Sequence, residues 1–181
     1  FTTIMKKCSK LMQTIVNNPK PVIAEVNGTA TAAGCQLVAS CDLAYASKTA
    51  AFATPGVNIG LFCSTPMVAV SRNVSNKHSM EMLLTGDFIS ATKAEKIGLI
   101  NKAVDESLLK KETMEAAQKI SKKSAITLKI GKEAFYKQID MTLSEAYDYA
   151  SDIMVQNMLK LDAEEGINAF INKRTPSWKD E

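Results

Sequence analysis

A chain of 181 residues, 46% of them hydrophobic, is long enough to form a globular core without disulfide bonds. Its 22 basic and 19 acidic residues give a formal charge of +3 without a block of like charges, which argues against a nucleic-acid partner. No apolar run reaches the roughly 18 residues that a membrane-spanning helix requires. These features favour a globular protein without a membrane span.

The chain opens with a predicted helix, strand and loop. Residues 3–18 place apolar side chains at helical spacing, and Pro19 ends the helix. The run PVIAEV then predicts a buried strand that closes at Gly28. The segment that follows, GTATAAG, has only small residues, so another molecule can approach its backbone closely. Because the sequence starts at Phe1 inside a helical pattern, we expect further residues upstream.

Short strands alternate with helices in the next part of the chain, and the remainder is helical. CQLVASC predicts a short buried helix, and DLAYAS and AFAT predict two brief strands. A further strand is predicted over residues 99–104. The later predicted helices cover residues 67–74, 77–85, 91–96, 107–123, 126–138, 143–161 and 164–172. We therefore divide the chain into an α/β part, residues 1–104, and a helical part, residues 105–181.

One apolar stripe in the helical part has two interpretations. It consists of Tyr147, Ala150, Ile153, Met154 and Met158, which share one helical face. Such a stripe is typical of a core-facing helix, but a long helical tail after a compact strand region also packs on neighbouring subunits. Both interpretations stay open at this point.

The four cysteines favour a reduced protein without a zinc site. Cys8, Cys35, Cys41 and Cys63 form no C-x-x-C pair, and the chain has a single histidine. We expect free thiols that pack as small hydrophobic groups, in a reducing compartment such as the cytosol or an organelle matrix.

The segment from Pro21 to Cys41 is the part of the sequence most informative about chemistry. A strand, a small-residue loop and a helix follow one another, so the free N–H groups of the helix start point at whatever binds beyond the strand. An oxyanion or a phosphate suits such a place. The loop does not match G-x-G-x-x-G, so we reject a dinucleotide fold. A tight turn whose glycines serve packing alone is the other interpretation.

Four ordered blocks in the chain carry a resemblance to a known family. They are KPVIAEVNGTATAAGCQLVASCDLAYAS, FATPGVNIGLF, MLLTGDFISATKAEKIGLINKAV and EEGINAFINKR. Together they closely resemble the enoyl-CoA hydratase/isomerase, or crotonase, family. The resemblance implies an α/β fold with a β-β-α spiral core. Residues 1–104 would form the C-terminal portion of that core, with its upstream part absent, and residues 105–181 a helical region for trimerisation.

The family also implies a ligand and its contacts. The ligand is an acyl-CoA thioester, with no further cofactor and no metal, in a homotrimer or hexamer. The backbone N–H of Ala33 would be one oxyanion donor, with Gly34 opening the helix, and the other donor would lie upstream of Phe1. Lys173, followed by Arg174, stands where the family contacts the CoA phosphates of a neighbouring subunit. From the residues alone, both are cations that favour the end of a helix.

Two positions depart from the family pattern. Hydratases of the family use two glutamates to activate water, and Gln36 and Gly56 stand in their places. An amide does not ionise near neutral pH, and glycine has no side chain. One hypothesis is that Gln36 orders a water or carbonyl together with Ser64 or Cys63. The alternative is that Ser64 merely caps the next helix.

Two other polar residues are not expected to be catalytic. His78 lies in what resembles an exposed helix start, and Asp42 favours a structural role in the turn before a strand.

The sequence thus predicts an enoyl-CoA hydratase/isomerase-like protein of fatty-acid or acyl-CoA metabolism, with weak or altered chemistry. The alternatives are a catalytically silent acyl-CoA-binding or regulatory subunit, or another thioester reaction such as hydrolysis. We expect it in the cytoplasm if bacterial and in the mitochondrial matrix if eukaryotic.

Overall fold

The computed structural model describes residues 1–181 and divides into two compact units. The first unit comprises residues 1–16 and 22–116, and the second comprises residues 17–21 and 117–181. All strands lie in the first unit, whereas the second is helical.

The first unit contains six strands, five complete helices and the beginning of a sixth. In chain order these are α1 Thr2–Val16, β1 Ile23–Val26, β2 Ala30–Thr31, α2 Ala33–Ser40, β3 Leu43–Ser47, β4 Ala51–Ala53, a 3-10 helix Pro55–Ile59, α3 Ser64–Val70, α4 Asn76–Thr85, β5 Ile89–Ser90, α5 Ala91–Lys96, β6 Lys102–Val104 and the start of α6 Glu106–Ser121.

The strands form two small sheets. One sheet has the order β1-β3-β6 and is parallel throughout. The other has the order β2-β4-β5, with β2 and β4 parallel and β5 antiparallel to β4. Passing along the chain, β1 joins the first sheet, β2 joins the second and α2 follows; β3, β4 and α3 repeat that order. This is the β-β-α repeat that the sequence predicted.

Small side chains fill much of the core between these sheets and helices. Ala24 and Val26 are the buried positions of β1, and the exposed Glu25 stands between them, as expected when successive side chains point to opposite faces. Ala44 and Ala46 occupy the equivalent positions on β3.

The second unit consists of the end of α6 and three further helices, α7 Ala125–Gln138, α8 Leu143–Met158 and α9 Leu161–Ile171. Local caps set two of the starts. The Ser124 hydroxyl accepts from the Thr127 N–H, and Thr142 forms a reciprocal capping box with Glu145. No helix in either unit has both the length and the apolar character needed to cross a membrane.

The apolar stripe of α8 is not core. Tyr147, Met154 and Met158 are 69%, 60% and 61% exposed, and no residue of α8 is fully buried. The core interpretation of the stripe is therefore wrong for these three side chains.

Most predicted elements are confirmed, and the differences involve short ones. The loop GTATAAG contains β2, and β5 was not predicted at all. A strand of two residues is too short to show an alternation of apolar and polar side chains in the sequence. Only their hydrogen bonding to β4 identifies β2 and β5 as strands. Helix α3 begins at Ser64 and ends at Val70, earlier than the predicted range 67–74.

Candidate functional site

The start of α2 is held in a strained backbone conformation. Ala32, the residue before the helix, has φ 48° and ψ −113°, a region that residues with a Cβ rarely adopt. Its N–H donates to the Ala53 carbonyl at 3.0 Å, and its carbonyl accepts from the Gln36 N–H at 3.0 Å. Such a conformation costs about 1–3 kcal/mol and persists where surrounding contacts fix it. The second sheet and the first helical turn together fix Ala32.

The first amides of α2 are open. The N–H groups of Ala33 and Gly34 donate to no acceptor in the chain, and both residues are exposed. A Cβ at Gly34 would meet only the Ala30 side chain, at 4.0 Å, so this turn is not crowded. Unpaired N–H groups at a helix start carry partial positive charge and stabilise an oxyanion placed against them. The predicted oxyanion position therefore has its donors available.

Gln36 is buried and turned towards α1. Its side chain is 4% exposed, and its Oε1 accepts a hydrogen bond from the Cys8 Sγ at 3.7 Å. Neither Ser64 nor Cys63 hydrogen-bonds to it. The structure thus pairs Gln36 with a thiol of the first helix, which the sequence hypothesis did not foresee.

The backbone around Gly56 leaves no room for a side chain. A Cβ there would lie 2.5 Å from the Leu61 carbonyl oxygen and 2.9 Å from the Cys63 Sγ. The Gly56 N–H donates to the same sulfur at 3.3 Å, and the Gly56 carbonyl accepts from the Leu61 N–H at 2.9 Å. The place of the second family glutamate is therefore closed by the turn that follows it.

Ser64 does not cap α3. It is the first residue of the helix, Cys63 is the residue before it, and neither side chain caps the start. The exposed Ser64 hydroxyl donates instead to the Phe62 carbonyl at 3.3 Å. The capping alternative is wrong, because the helix begins one residue earlier than a Ser64 cap requires.

Two buried thiols lie under this part of the site. Cys35 and Cys63 are 0% and 7% exposed, and all four cysteines of the chain are free thiols. Burial, with a smaller contribution from Cys63, raises the pKa of the Cys35 thiol to about 12. Cys35 therefore stays a neutral thiol near physiological pH.

Large apolar side chains of the turn, and of the helices α2 and α3, are exposed. Ile59, Leu61 and Phe62 are 76%, 63% and 42% exposed. Leu37 on α2 and Val68 on α3 are also exposed. An apolar surface of this kind suits a hydrocarbon chain better than a charged ligand.

The two predicted phosphate contacts differ in their surroundings. The Lys173 ammonium has no partner in the chain, and its backbone adopts φ 52° just after α9. The Arg174 guanidinium binds both carboxylate oxygens of Glu165, at 2.6 and 2.7 Å. The hydrogen bonds from Arg174, and then from the Ser177 N–H, lower the Glu165 pKa to about 2. Arg174 would have to break this pair to contact a phosphate.

His78 and Asp42 lie outside the site. The His78 ring lies on the exposed side of α4, with its Nδ1 3.5 Å from Glu81. The Asp42 carboxylate accepts from the Val22 N–H at 2.6 Å, which confirms a structural role before β3. No group of three or more His, Cys, Asp or Glu side chains is placed to hold a metal.

A family model described as enoyl-CoA hydratase/isomerase matches residues 2–181. The chain belongs to the enoyl-CoA hydratase/isomerase family. Its predicted crotonase fold is confirmed by the solved structures of this family that it matches.

Individual members of the enoyl-CoA hydratase/isomerase family show how close the likeness is. Enoyl-CoA hydratase domain-containing protein 3, mitochondrial, of Mus musculus is 54% identical over 175 residues, covering 97% of this chain and 58% of that protein. The human structure of that protein superposes with TM-score 0.94 at 54% identity, covering 97% of this chain and 69% of that one. A Mycobacterium smegmatis enoyl-CoA hydratase gives TM-score 0.96 at 47% identity, covering 98% and 69%. The chain thus spans less than two thirds of the curated relative's length.

Sequence reasoning missed three residues that contact or adjoin the candidate positions, two in the first unit and one in the second. Ala32 carries the backbone strain, Cys8 pairs with Gln36, and Glu165 binds Arg174. An alanine gives no sign of an unusual φ, and the other two contacts join residues that no local motif connects. The only signal in the sequence for Glu165 was its negative charge, which could have suggested a pair with the cations at 173 and 174.

Proposed function

We propose that this chain binds an acyl-CoA thioester and polarises its carbonyl through the backbone amides of Ala33 and Gly34. The observation that carries the proposal is the open first turn of α2, whose exposed N–H groups have no acceptor in the chain and follow the strained Ala32. A preorganised donor of this kind contributes on the order of 10²- to 10³-fold to the rate of acyl chemistry.

The proposed chemistry is hydratase/isomerase-like in its binding step but weak in hydration. Gln36 cannot ionise, and its carbonyl oxygen already accepts from Cys8. Position 56 has no space for a carboxylate. Since each general acid or base contributes typically about 10²- to 10⁴-fold, hydration should suffer far more than binding.

Further features support an acyl-CoA ligand. The exposed apolar residues Ile59, Leu61 and Phe62 suit the acyl chain. The unpartnered ammonium of Lys173 suits a CoA phosphate on a neighbouring subunit, the contact that the family resemblance implies. Curated relatives of this chain carry "mitochondrial" in their names, so we place its function in acyl-CoA metabolism of the matrix if the source is eukaryotic.

A second candidate is a catalytically silent acyl-CoA-binding subunit. The observation that favours it is that both glutamate positions are occupied by other contacts, Gln36 by Cys8 and Gly56 by Cys63. In this case the carbonyl is held but nothing is added to the double bond.

Calorimetry and absorbance measurements test the proposal. The full chain should bind crotonyl-CoA, and an aromatic enoyl-CoA ester should show a red shift of its absorbance on binding, because the amides draw electron density towards the carbonyl oxygen. Ala33→Pro removes one N–H at the first helical position, where proline is tolerated, and should reduce the shift. Should that variant misfold, the spectrum of the unmodified chain still decides the question. Absence of both binding and shift would contradict the proposal.

Turnover then separates the candidates. Loss of the enoyl-thioester absorbance without release of free thiol reports hydration, whereas the same loss with release of free thiol reports hydrolysis. Slow hydration supports the weak enzyme, whereas binding without either signal supports the silent subunit. Hydration at the rate of a glutamate-bearing hydratase would show that the losses at positions 36 and 56 are compensated, contrary to the proposal.

A further inference from the structure

The last nine residues of the chain form a segment held against the helices of the second unit. We call residues 173–181 the C-terminal strap. Its first anchor is the fork in which Arg174 binds both oxygens of Glu165 on α9, at 2.6 and 2.7 Å. The Ser177 N–H donates to the same carboxylate at 2.8 Å. Glu165 therefore binds the strap at two points, the Arg174 side chain and the Ser177 backbone N–H.

A second carboxylate anchors the other end of the strap. Asp162, only 2% exposed, accepts from the N–H groups of Lys179 and Asp180 at 2.7 and 3.1 Å. The Asp180 carboxylate in turn accepts from the Ala125 N–H at 2.6 Å, at the start of α7. The strap thus links the first turns of α9 and α7.

The only tryptophan of the chain lies in the middle of the strap. The Trp178 Nε1 donates to the Lys122 carbonyl at 2.8 Å. Its ring lies so close to Gly166 that a Cβ there would come within 3.3 Å of two ring carbons. Trp178 therefore reports directly on whether the strap is docked.

Lys173 is the first residue of the strap after α9, and contacts on both sides fix its backbone conformation. On the helix side, the N–H groups of Lys173 and Arg174 donate to the carbonyls of Phe170 and Ala169, the bond pattern of a Schellman motif. On the strap side, the Arg174 fork begins at the next residue. Lys173 keeps φ 52°, which glycine usually provides, so its conformation depends on these neighbouring contacts.

We propose that Glu165 and Arg174 are positioning residues that hold Lys173 in place to bind a phosphate of the CoA nucleotide on a neighbouring copy of this chain. This inference rests on the proposed function and assigns Arg174 to Glu165 instead of to the ligand. A lysine whose backbone is already fixed loses less freedom on binding, which is worth about two- to tenfold in affinity. Glu165 and Arg174 thereby raise the affinity for the ligand without contacting it.

The test compares two thioesters and one pair of matched variants in the full chain. Crotonyl-CoA carries the nucleotide phosphates, whereas crotonyl-pantetheine lacks them. Glu165→Gln removes the negative charge and one of the two acceptor oxygens of the fork. Glu164→Gln makes the same charge change at an exposed neighbour without a side-chain partner. Trp178 quenching by acrylamide measures strap docking in each variant.

We expect Glu165→Gln to expose Trp178 to quencher and to weaken crotonyl-CoA binding about two- to tenfold, with crotonyl-pantetheine unaffected. Glu164→Gln should change neither. Gly166→Ala gives a second route, since its Cβ would lie 3.3 Å from two Trp178 ring carbons and press on the docked ring without altering either charge of the fork. A merely structural role would weaken both thioesters equally.

Two results would overturn the inference. One is a released strap with an unchanged preference for crotonyl-CoA over crotonyl-pantetheine. The other is an unmodified chain that binds both thioesters equally, which would remove the phosphate contact of Lys173. If the unmodified chain binds neither thioester, the proposed function itself fails, and this outcome is distinct from the other two.

Discussion

At the scale of one residue, Gly56 lies in a turn that leaves no space for a side chain. The Cys63 sulfur and the Leu61 carbonyl lie where a side chain on residue 56 would begin. The Gly56 N–H also donates to that sulfur. Restoring a carboxylate would therefore require the whole turn from 56 to 63 to move.

Gly56→Ala should destabilise the chain by about 1–3 kcal/mol, because the new methyl group meets backbone and a buried sulfur that cannot move away easily. Urea unfolding of both proteins would measure the difference in free energy of unfolding. Gly28→Ala is the control, because no atom lies within 4 Å of its Cβ and the expected change is within about 0.5 kcal/mol. Equal stability of Gly56→Ala and the unmodified chain would show that the turn adapts.

Cys35 should be the least reactive thiol of the folded chain. Burial and the neighbouring Cys63 raise its pKa to about 12, so the thiolate needed for alkylation is scarce at pH 8. Iodoacetamide followed by mass spectrometry should label the half-buried Cys8 and Cys41 first. Unfolding in urea should bring Cys35 to their rate. Early labelling of Cys35 in the folded chain would contradict its burial.

At the scale of elements, the carboxylates of α9 make the docking of the C-terminal strap sensitive to acid. The hydrogen bonds from Arg174, and next from Ser177, lower the Glu165 pKa from 4.5 to about 2. Lys179 adds a favourable charge. Burial raises the Asp162 pKa, but hydrogen bonds from Ser124 and from the amides of the strap lower it more. Both carboxylates are therefore ionised when the strap is docked.

Strap docking should be fully stable above about pH 4.5 and should weaken as the pH falls towards 2. The sign follows because the released Glu165 takes up a proton at higher pH than the docked one, so acid favours release. Trp178 fluorescence against pH would record the transition. Glu165→Gln cannot take up this proton, so its fluorescence change with pH should show only the contribution of Asp162. An identical pH profile in both proteins would contradict the contribution of Glu165.

At the scale of the whole molecule, each unit exposes apolar surface. In the second unit, Tyr147, Met154, Val155 and Met158 present an uncovered face of α8. A face of this composition is typical of a subunit interface, and the family resemblance implies a homotrimer or hexamer.

Substitution of Met154 and Met158 by glutamate should convert an assembled form into monomers, because two charges would be buried without partners at the interface. Light scattering coupled to size exclusion would measure the mass. Gln156→Glu, an exposed polar position on the same helix, is the matched control and should leave the mass unchanged. A monomeric unmodified chain would argue against α8 as an assembly surface.

Local features of the sequence predicted most helices and the strand, loop and helix around Ala33, because apolar periodicity, small residues and helix-ending residues act within a few positions of one another. The family, the β-β-α order and the choice of Ala33 as donor came from the resemblance that the four blocks carry. The same resemblance implies that Gln36 and Gly56 stand where hydratases of the family carry glutamates.

Only the tertiary structure decided which groups Gln36, Gly56 and Arg174 contact. It paired Gln36 with Cys8, placed Cys63 against Gly56 and joined Arg174 to Glu165. It also showed that the stripe of α8 is exposed rather than core. Periodicity specifies which face of a helix is apolar, but what covers that face, and which distant side chain fills a gap, depend on the path of the whole chain.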